Sequence, residues 1–139
     1  MAGARELKLT DLTAGAKALV GFTVTEPQMR QFAELSGDFN PLHTDAAFAE
    51  RKGHPGPVVY GALLVAKVSQ LIGMELPGRD STWASVTLDF KRPLYVGQPA
   101  EVEGTVTSVH PATGLVELGL VLRAQGKVLA KGRAEVVLG

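Results

Sequence analysis

The sequence predicts an α+β protein in which one curled antiparallel sheet wraps around a single buried helix. The chain has 139 residues, a length that suits one domain with one core. Apolar residues recur at helical spacing before Pro77 and alternate with a period of two from Ser81 onward. The connections between the alternating segments are too short for crossover helices, so these strands should pair antiparallel. We therefore expect residues 1–139 to form one domain of this kind.

The first elements follow from a capping pattern. Val20 to Thr25 suits a short strand. Thr25 and Gln28 have the spacing of a capping box, with a proline in the first turn between them. A helix should therefore begin after Thr25, and Gly37 supplies a residue that ends helices in the left-handed conformation.

Two further helices are predicted before Pro77. Thr44 or Asp45 can cap a short helical turn through Ala46 to Glu50. Gly61 to Met74 is apolar on nearly every side, so we expect it to be buried rather than to lie on the surface. This segment is the predicted central helix.

Alternating segments fill the rest of the chain. Four strands are predicted, and the first of them is expected to be half-buried. Their apolar positions are Ala84, Val86, Leu88 and Phe90; Ala100, Val102 and Val106; Val116, Leu118, Leu120 and Leu122; and Val128, Ala130, Ala134 and Val136.

Composition excludes several function classes. The 14 basic and 14 acidic residues balance, which leaves no broad positive field for a nucleic acid. Cysteine is absent, which excludes disulfides, thiolate metal sites and cysteine nucleophiles. The N-terminal segment has no apolar stretch of signal-peptide type, and no segment is long and apolar enough to cross a membrane. We expect a cytoplasmic protein that binds neither nucleic acid nor membrane.

The candidate chemistry lies in one octapeptide, Ser36-Gly37-Asp38-Phe39-Asn40-Pro41-Leu42-His43. Asp38 and His43 flank a turn that Gly37 and Pro41 would bend, so carboxylate and imidazole can approach one small volume and hold a water between them. Spacing alone favours a simpler interpretation, in which Asp38 forms an Asx turn and His43 is a partly exposed loop residue.

The octapeptide resembles the hydratase motif of the (R)-specific enoyl-CoA hydratases and MaoC-like dehydratases, Ser-Gly-Asp-x-Asn-Pro-x-His. Motifs similar to those of the family extend over roughly Thr25 to Gly97. The additional matching segments are Asp45-Ala46-Ala47-Phe48-Ala49, Pro57-Val58-Val59-Tyr60-Gly61 and Phe90-Lys91-Arg92-Pro93-Leu94-Tyr95-Val96-Gly97. The resemblance implies a single hot-dog fold, in agreement with the pattern of strands and helices.

The resemblance also implies roles for individual residues. Asp38 would activate the water, His43 would share it, and the backbone amide of Gly61 would hold the thioester carbonyl. A glycine at a helix N-terminus suits an oxyanion hole, because carbonyl oxygen can approach closely and free N–H groups face it. The alternative for Gly61 is that it only permits close helix packing.

Other positions are expected to support the site or to modify it. Asn40 should brace the turn through side-chain bonds to the backbone. Ser69 resembles a polar residue that some members place near the site, although such a serine more often bonds its own helix. Tyr60 and Ala62 depart from the His and Met of many members, which bears on substrate preference. The pair Lys91-Arg92 could meet phosphate groups, but exposed basic pairs are usually solvated.

The resemblance predicts a hydro-lyase that hydrates trans-2-enoyl thioesters or dehydrates (R)-3-hydroxyacyl thioesters. Its substrate would be an acyl-CoA or an acyl-carrier-protein thioester, with no metal or redox cofactor, and the protein would be a homodimer. Two alternatives are a hot-dog thioesterase, since one fold hosts both reactions, and a non-catalytic acyl-thioester-binding subunit. The intact octapeptide argues against the first, and the presence of both Asp38 and His43 argues against the second.

Overall fold

A computed structural model describes residues 3–139 of the chain. The first two residues of the predicted domain therefore lie outside the described residues. Within residues 3–139 the strands form one curled, five-stranded antiparallel sheet. Its strand order is β1 (Lys17–Phe22), β3 (Ala100–His110), β4 (Leu115–Ala124), β5 (Lys127–Leu138) and β2 (Ser81–Phe90). The predicted fold class is thus confirmed.

The strands have the following bounds: β1 Lys17–Phe22, β2 Ser81–Phe90, β3 Ala100–His110, β4 Leu115–Ala124 and β5 Lys127–Leu138. The helices are α1 Glu26–Ser36, α2 Pro41–Thr44, α3 Ala46–Arg51 and α4 Gly61–Met74, preceded by a short 3-10 turn at Leu9–Asp11. The central helix α4 therefore has the predicted bounds.

The capping signals position α1 and α3 as the sequence predicts. The Thr25 side chain accepts from the Gln28 backbone N–H, and the Gln28 side chain accepts from the Thr25 backbone N–H. Gly37 ends α1 with a φ of 77°, in the left-handed region that glycine adopts without strain. Asp45 caps α3 by accepting from two backbone N–H groups. The turn that carries Asp38 thus leaves α1 in a defined direction.

The core lies between α4 and the sheet. One side of α4 is buried there, and its buried residues are Leu63, Leu64, Val68, Leu71 and Ile72. The opposing strand residues are fully buried as well, for example Val102, Leu118 and Val136. However, Ala62, Ser69 and their neighbours on the other side of α4 remain exposed. The expectation of a helix buried all round therefore holds for one side only.

Three local expectations are corrected. The first strand lies at Lys17–Phe22 rather than Val20–Thr25, because its pairing ends where Phe22 faces Ala100, the first residue of β3. Pro41–Thr44 forms a helical turn that the sequence did not predict, although it carries the proline and Asn40 cap that favour one.

The third correction concerns β2, which is far more exposed than the predicted half-buried strand. It lies at the edge of the sheet and pairs only with β5 among the described strands. Val86 is 39% exposed and Phe90 is 53% exposed, although both share the face of β2 that carries the partly buried Leu88. An edge strand has a neighbour on one side only, so its side chains lack half of their packing partners.

Candidate active site

The octapeptide spans the end of α1, the turn after it and most of α2. Ser36 is the last residue of α1, Gly37 is its C-cap, and Asn40 is the N-cap of α2. His43 lies within α2. The turn between two helix ends therefore presents Asp38, while a helical turn orients His43.

Asp38 is exposed and has the local hydrogen bonds of an Asx turn. Its Oδ1 accepts the Asn40 N–H at 3.1 Å, and its own N–H donates to the Ser36 hydroxyl at 3.1 Å. Oδ2 accepts no hydrogen bond from residues 3–139. The turn therefore uses one carboxylate oxygen and leaves the other available.

Among residues 3–139, only one ring nitrogen of His43 has a hydrogen-bond partner. Its Nδ1 lies 2.6 Å from the carbonyl oxygen of Val58. Because a carbonyl can only accept, Nδ1 carries the hydrogen in this contact, and in the neutral ring Nε2 is then the acceptor. A hydrogen bond between Val58 N–H and Leu42 carbonyl, 3.1 Å long, ties the same two segments together. His43 is thus oriented as a proton acceptor at Nε2.

Gly61 is the first residue of α4, and its N–H has no acceptor among residues 3–139. The N-cap residue before it, Tyr60, makes no side-chain cap bond. The end of the Phe90 ring lies 3.2 Å from the position that a Cβ would take at Gly61. A side chain here would therefore crowd Phe90, whereas glycine leaves the free N–H of a helix N-terminus accessible.

His43 and Gly61 line one cavity of about 310 Å³. The other residues that line it are Val58, Val59, Leu64, Phe90, Lys91, Arg92, Pro93 and Leu94. Asp38 is not among the lining residues, so the single chain brings together two of the three candidate groups. That Asp38 and His43 share one water remains a prediction.

The supporting candidates lie in different places. The Asn40 Oδ1 accepts the Leu42 N–H at 3.0 Å, which braces the turn as expected. Ser69 is on the exposed side of α4 and does not line the cavity. Lys91 and Arg92 do line it, and the Arg92 guanidinium donates to the Val128 carbonyl at 2.9 Å. Both side chains are exposed, as the sequence favoured.

Sequence reasoning attached Tyr60 to substrate preference and missed its contacts with the candidate pair. The Tyr60 hydroxyl donates to the backbone carbonyl of Asp38 at 2.6 Å, and its ring stacks on His43 with centroids 4.0 Å apart. Burial and, second, the negative charge of Asp38 raise the pKa of Tyr60, so its hydroxyl stays protonated at neutral pH. The only signal in the sequence was that Tyr60, next to Gly61, stands where many members of the family have histidine.

Other site types find no support within residues 3–139. These residues contain no group of three or more histidine and acidic side chains arranged to hold a metal ion. In the same part of the chain, no helix is long and apolar enough to span a membrane.

The sequence matches the family described as "MaoC like domain" over residues 12–124. The chain belongs to this family. It is 38% identical to the (R)-specific enoyl-CoA hydratase of Aeromonas caviae over 128 residues, which cover 91% of this chain and 96% of that protein. It is also 28% identical to the 3-hydroxybutyryl-CoA dehydratase of Methylorubrum extorquens, with 95% of this chain and 84% of that protein covered.

Solved structures agree with this family membership. The (R)-hydratase of A. caviae superposes with a TM-score of 0.89 at 36% identity, covering 92% of this chain and 98% of that one. The unliganded R-hydratase of Pseudomonas aeruginosa gives a TM-score of 0.91 at 31% identity, covering 97% and 87% of the two chains. The fold is therefore the hot-dog fold, and the chain is a hydro-lyase of the MaoC-like family.

The Asn40 cap yields a test of how strongly the turn depends on it. Asn40→Ala removes the acceptor for Leu42 N–H, and loss of an N-cap should lower the free energy of unfolding by about 1 kcal/mol. We expect turnover to fall as well, because α2 carries His43. Asp45→Ala removes a comparable cap from α3 and serves as the matched control. Thermal unfolding and turnover, measured for both variants, should show similar losses of stability and a loss of turnover for Asn40→Ala alone. Equal turnover in the two variants would contradict a role for Asn40 in the site.

Proposed function

We propose that the protein catalyses (R)-specific hydration of trans-2-enoyl-CoA, or the reverse dehydration of (R)-3-hydroxyacyl thioesters, with Asp38 and His43 as its acid-base pair. One observation carries the proposal. His43, whose Nδ1 is fixed by the Val58 carbonyl, lines the same cavity as Gly61, whose N–H has no acceptor among the described residues 3–139. The relatives named as enoyl-CoA hydratase and 3-hydroxybutyryl-CoA dehydratase support the substrate class.

The proposed reaction uses one water. Asp38 and Nε2 of His43 both accept hydrogen bonds from it, and Asp38 takes a proton as the water oxygen bonds to C3 of the enoyl chain. The electron pair of the C2–C3 double bond moves toward the thioester carbonyl and gives an enolate. When the enolate collapses, C2 takes the proton back from Asp38. Water is thus added across one face, which gives syn addition and the (R)-3-hydroxyacyl thioester.

Gly61 is proposed to stabilise the enolate. Negative charge develops on the thioester oxygen during addition, so a donor placed at this oxygen acts more strongly on the transition state than on the substrate. Its N–H lies at the positive end of the α4 dipole. Val59, Leu64 and Leu94 add apolar surface to the cavity, which suits an acyl chain. This set of groups requires no metal or redox cofactor for the reaction.

A spectrophotometric assay tests the reaction class. The protein is mixed with trans-2-enoyl-CoA thioesters of about four to twelve carbons, and the loss of conjugated absorbance is followed together with release of free thiol. We expect absorbance to fall without thiol release, and chiral analysis should identify the (R)-3-hydroxyacyl product. Thiol release without a 3-hydroxyacyl product would instead establish a thioesterase. Binding of the thioester without turnover would indicate a non-catalytic acyl-thioester-binding subunit.

The roles of Asp38 and His43 predict the effect of removing each group. Asp38→Asn keeps the shape of the side chain but removes the proton acceptor, and His43→Ala removes the second group that holds the water. Each variant should lose on the order of 10²-fold or more in kcat. Affinity for a product analogue should persist, because apolar contacts and Gly61 remain. A folded variant that hydrates the substrate at a near-native rate would remove that residue from the mechanism.

A homodimer is also proposed, and the exposed edge of the sheet supports it. The strand β2 has ten residues, and its apolar side chains Val86 and Phe90 are exposed. The Phe90 ring also lies against Gly61, the first residue of α4. Antiparallel pairing of β2 with β2 of a second copy would satisfy the free backbone groups of both edges and bury these side chains. Since Phe90 lines the cavity, the second copy would also exclude water from its opening.

The dimer proposal predicts different effects for two matched valine substitutions. Val86 is 39% exposed on the edge strand, and Val137 is 38% exposed on β5, an interior strand. Val86→Lys should shift the protein to a monomer in light scattering after size-exclusion chromatography, because it places a charge at the proposed contact. Val137→Lys should leave the dimer intact. A monomeric parent protein, or equal behaviour of the two variants, would contradict the proposed interface.

The cytoplasmic location expected from the sequence stays a prediction.

A further inference from the structure

Tyr60 connects the three groups that the proposed mechanism uses. It is the residue directly before Gly61, its hydroxyl bonds the backbone of Asp38, and its ring stacks on His43. Its side chain is 2% exposed, which makes it one of the largest fully buried side chains among residues 3–139. A buried residue with these contacts occupies a fixed position between the groups that must act together.

The hydroxyl supplies the long-range tether of the turn that carries Asp38. The other hydrogen bonds of the turn are local. For example, the Asp38 N–H donates to the Ser36 hydroxyl, and the Asn40 N–H donates to the Asp38 carboxylate. In residues 3–139, the bond from Tyr60 to the Asp38 carbonyl is the one hydrogen bond that joins residues 36–40 to a distant part of the chain. Local bonds shape the turn, but they do not determine its distance from α4.

The Tyr60 ring restricts the tilting of the His43 imidazole that the hydrogen bond at Nδ1 would still allow. The bond from Nδ1 to the Val58 carbonyl fixes one atom of the imidazole, about which the ring could still tilt. The Tyr60 ring lies against it with an interplanar angle of 27°. The Phe32 ring packs against the Tyr60 ring, with the two ring centroids 4.7 Å apart. This contact limits the movement of Tyr60 itself. Hydrogen bond and stacking together define the plane of the imidazole.

Packing alone does not explain the presence of the Tyr60 hydroxyl. A phenylalanine would fill the same volume and stack on His43 equally well. The added oxygen is buried, and within the described part of the chain it makes one hydrogen bond, to the carbonyl of the exposed residue Asp38. Burial of a hydroxyl is favourable only when it is hydrogen-bonded, so this group is matched to the Asp38 backbone rather than to the core.

We propose that Tyr60 is a positioning residue, whose hydroxyl holds Asp38 in register with His43 for the hydration reaction. This inference rests on the proposed function, because it assumes that the Asp38 carboxylate is the proton acceptor. Tyr60 does not contact the reacting atoms in this scheme and acts through Asp38. The departure from histidine at this position therefore affects alignment of the catalytic pair, in addition to any effect on substrate preference.

The test compares Tyr60→Phe with the parent protein and with Tyr95→Phe. Tyr60→Phe keeps the ring and its stacking and removes only the tether, so kcat should fall about 10-fold while KM stays within about 2-fold. Tyr95→Phe is the matched control: it removes a hydroxyl that bonds His54 at 3.0 Å and leaves Asp38 and His43 untouched. It should keep the parent kcat. Both variants should melt within about 5 °C of the parent, as for loss of a single hydrogen bond.

A double variant separates positioning from a general structural effect. In the Asp38→Asn background, Tyr60→Phe should cause no further loss of kcat, because the hydroxyl acts through the carboxylate that has already been removed. A repeated 10-fold loss in that background, or a parent-like kcat for Tyr60→Phe alone, would overturn the proposal. Failure of the proposed function looks different: Asp38→Asn would itself retain activity, or the parent protein would not hydrate the thioester.

Discussion

Burial of one side of α4 against the sheet is the constraint on which the rest of the structure depends. Leu64, Val68 and Leu71 fix the helix axis, since fully buried side chains tolerate little displacement. The position of the helix N-terminus follows, and with it the placement of Gly61 and of the segment before it. Val58 and Val59 then bond to Leu42 and Leu94, so α2 and the chain after β2 are attached to the same point. The apolar core between α4 and the sheet thereby sets the geometry of the candidate site.

The site itself is built mainly from backbone groups. The carbonyl of Val58 selects the tautomer of His43, and the carbonyl of Asp38 accepts a hydrogen bond from the Tyr60 hydroxyl. Gly61 lines the cavity, and its N–H has no acceptor among residues 3–139. Backbone groups are positioned by secondary structure, so they are held more rigidly than long side chains. This arrangement explains how few polar side chains the proposed reaction requires. A fixed donor also needs no reorganisation when charge develops on the thioester oxygen.

Much of this arrangement could be predicted from the sequence, because caps and periodicity are local signals. Thr25, Gly37 and the apolar run of α4 each specify their element with neighbouring residues alone. The contact between the Val58 carbonyl and His43 could not be predicted in this way. Every residue has a backbone carbonyl, and only the fold determines which carbonyl lies next to His43. The exposure of β2 could not be predicted from the alternating pattern either. Alternation shows which residues share a face, but the position of a strand at the sheet edge depends on the pairing of all five strands.

The exposed edge strand β2, the start of α4 and the cavity meet at Phe90. This residue is exposed on the edge strand, its ring lies against the first turn of α4, and it lines the cavity. In water, the attraction between the Gly61 N–H and a developing enolate is weakened by the high dielectric constant of the solvent. Whatever covers Phe90 therefore also strengthens the proposed oxyanion contact. A second copy paired through β2 would do both, so that assembly and catalysis would depend on the same surface.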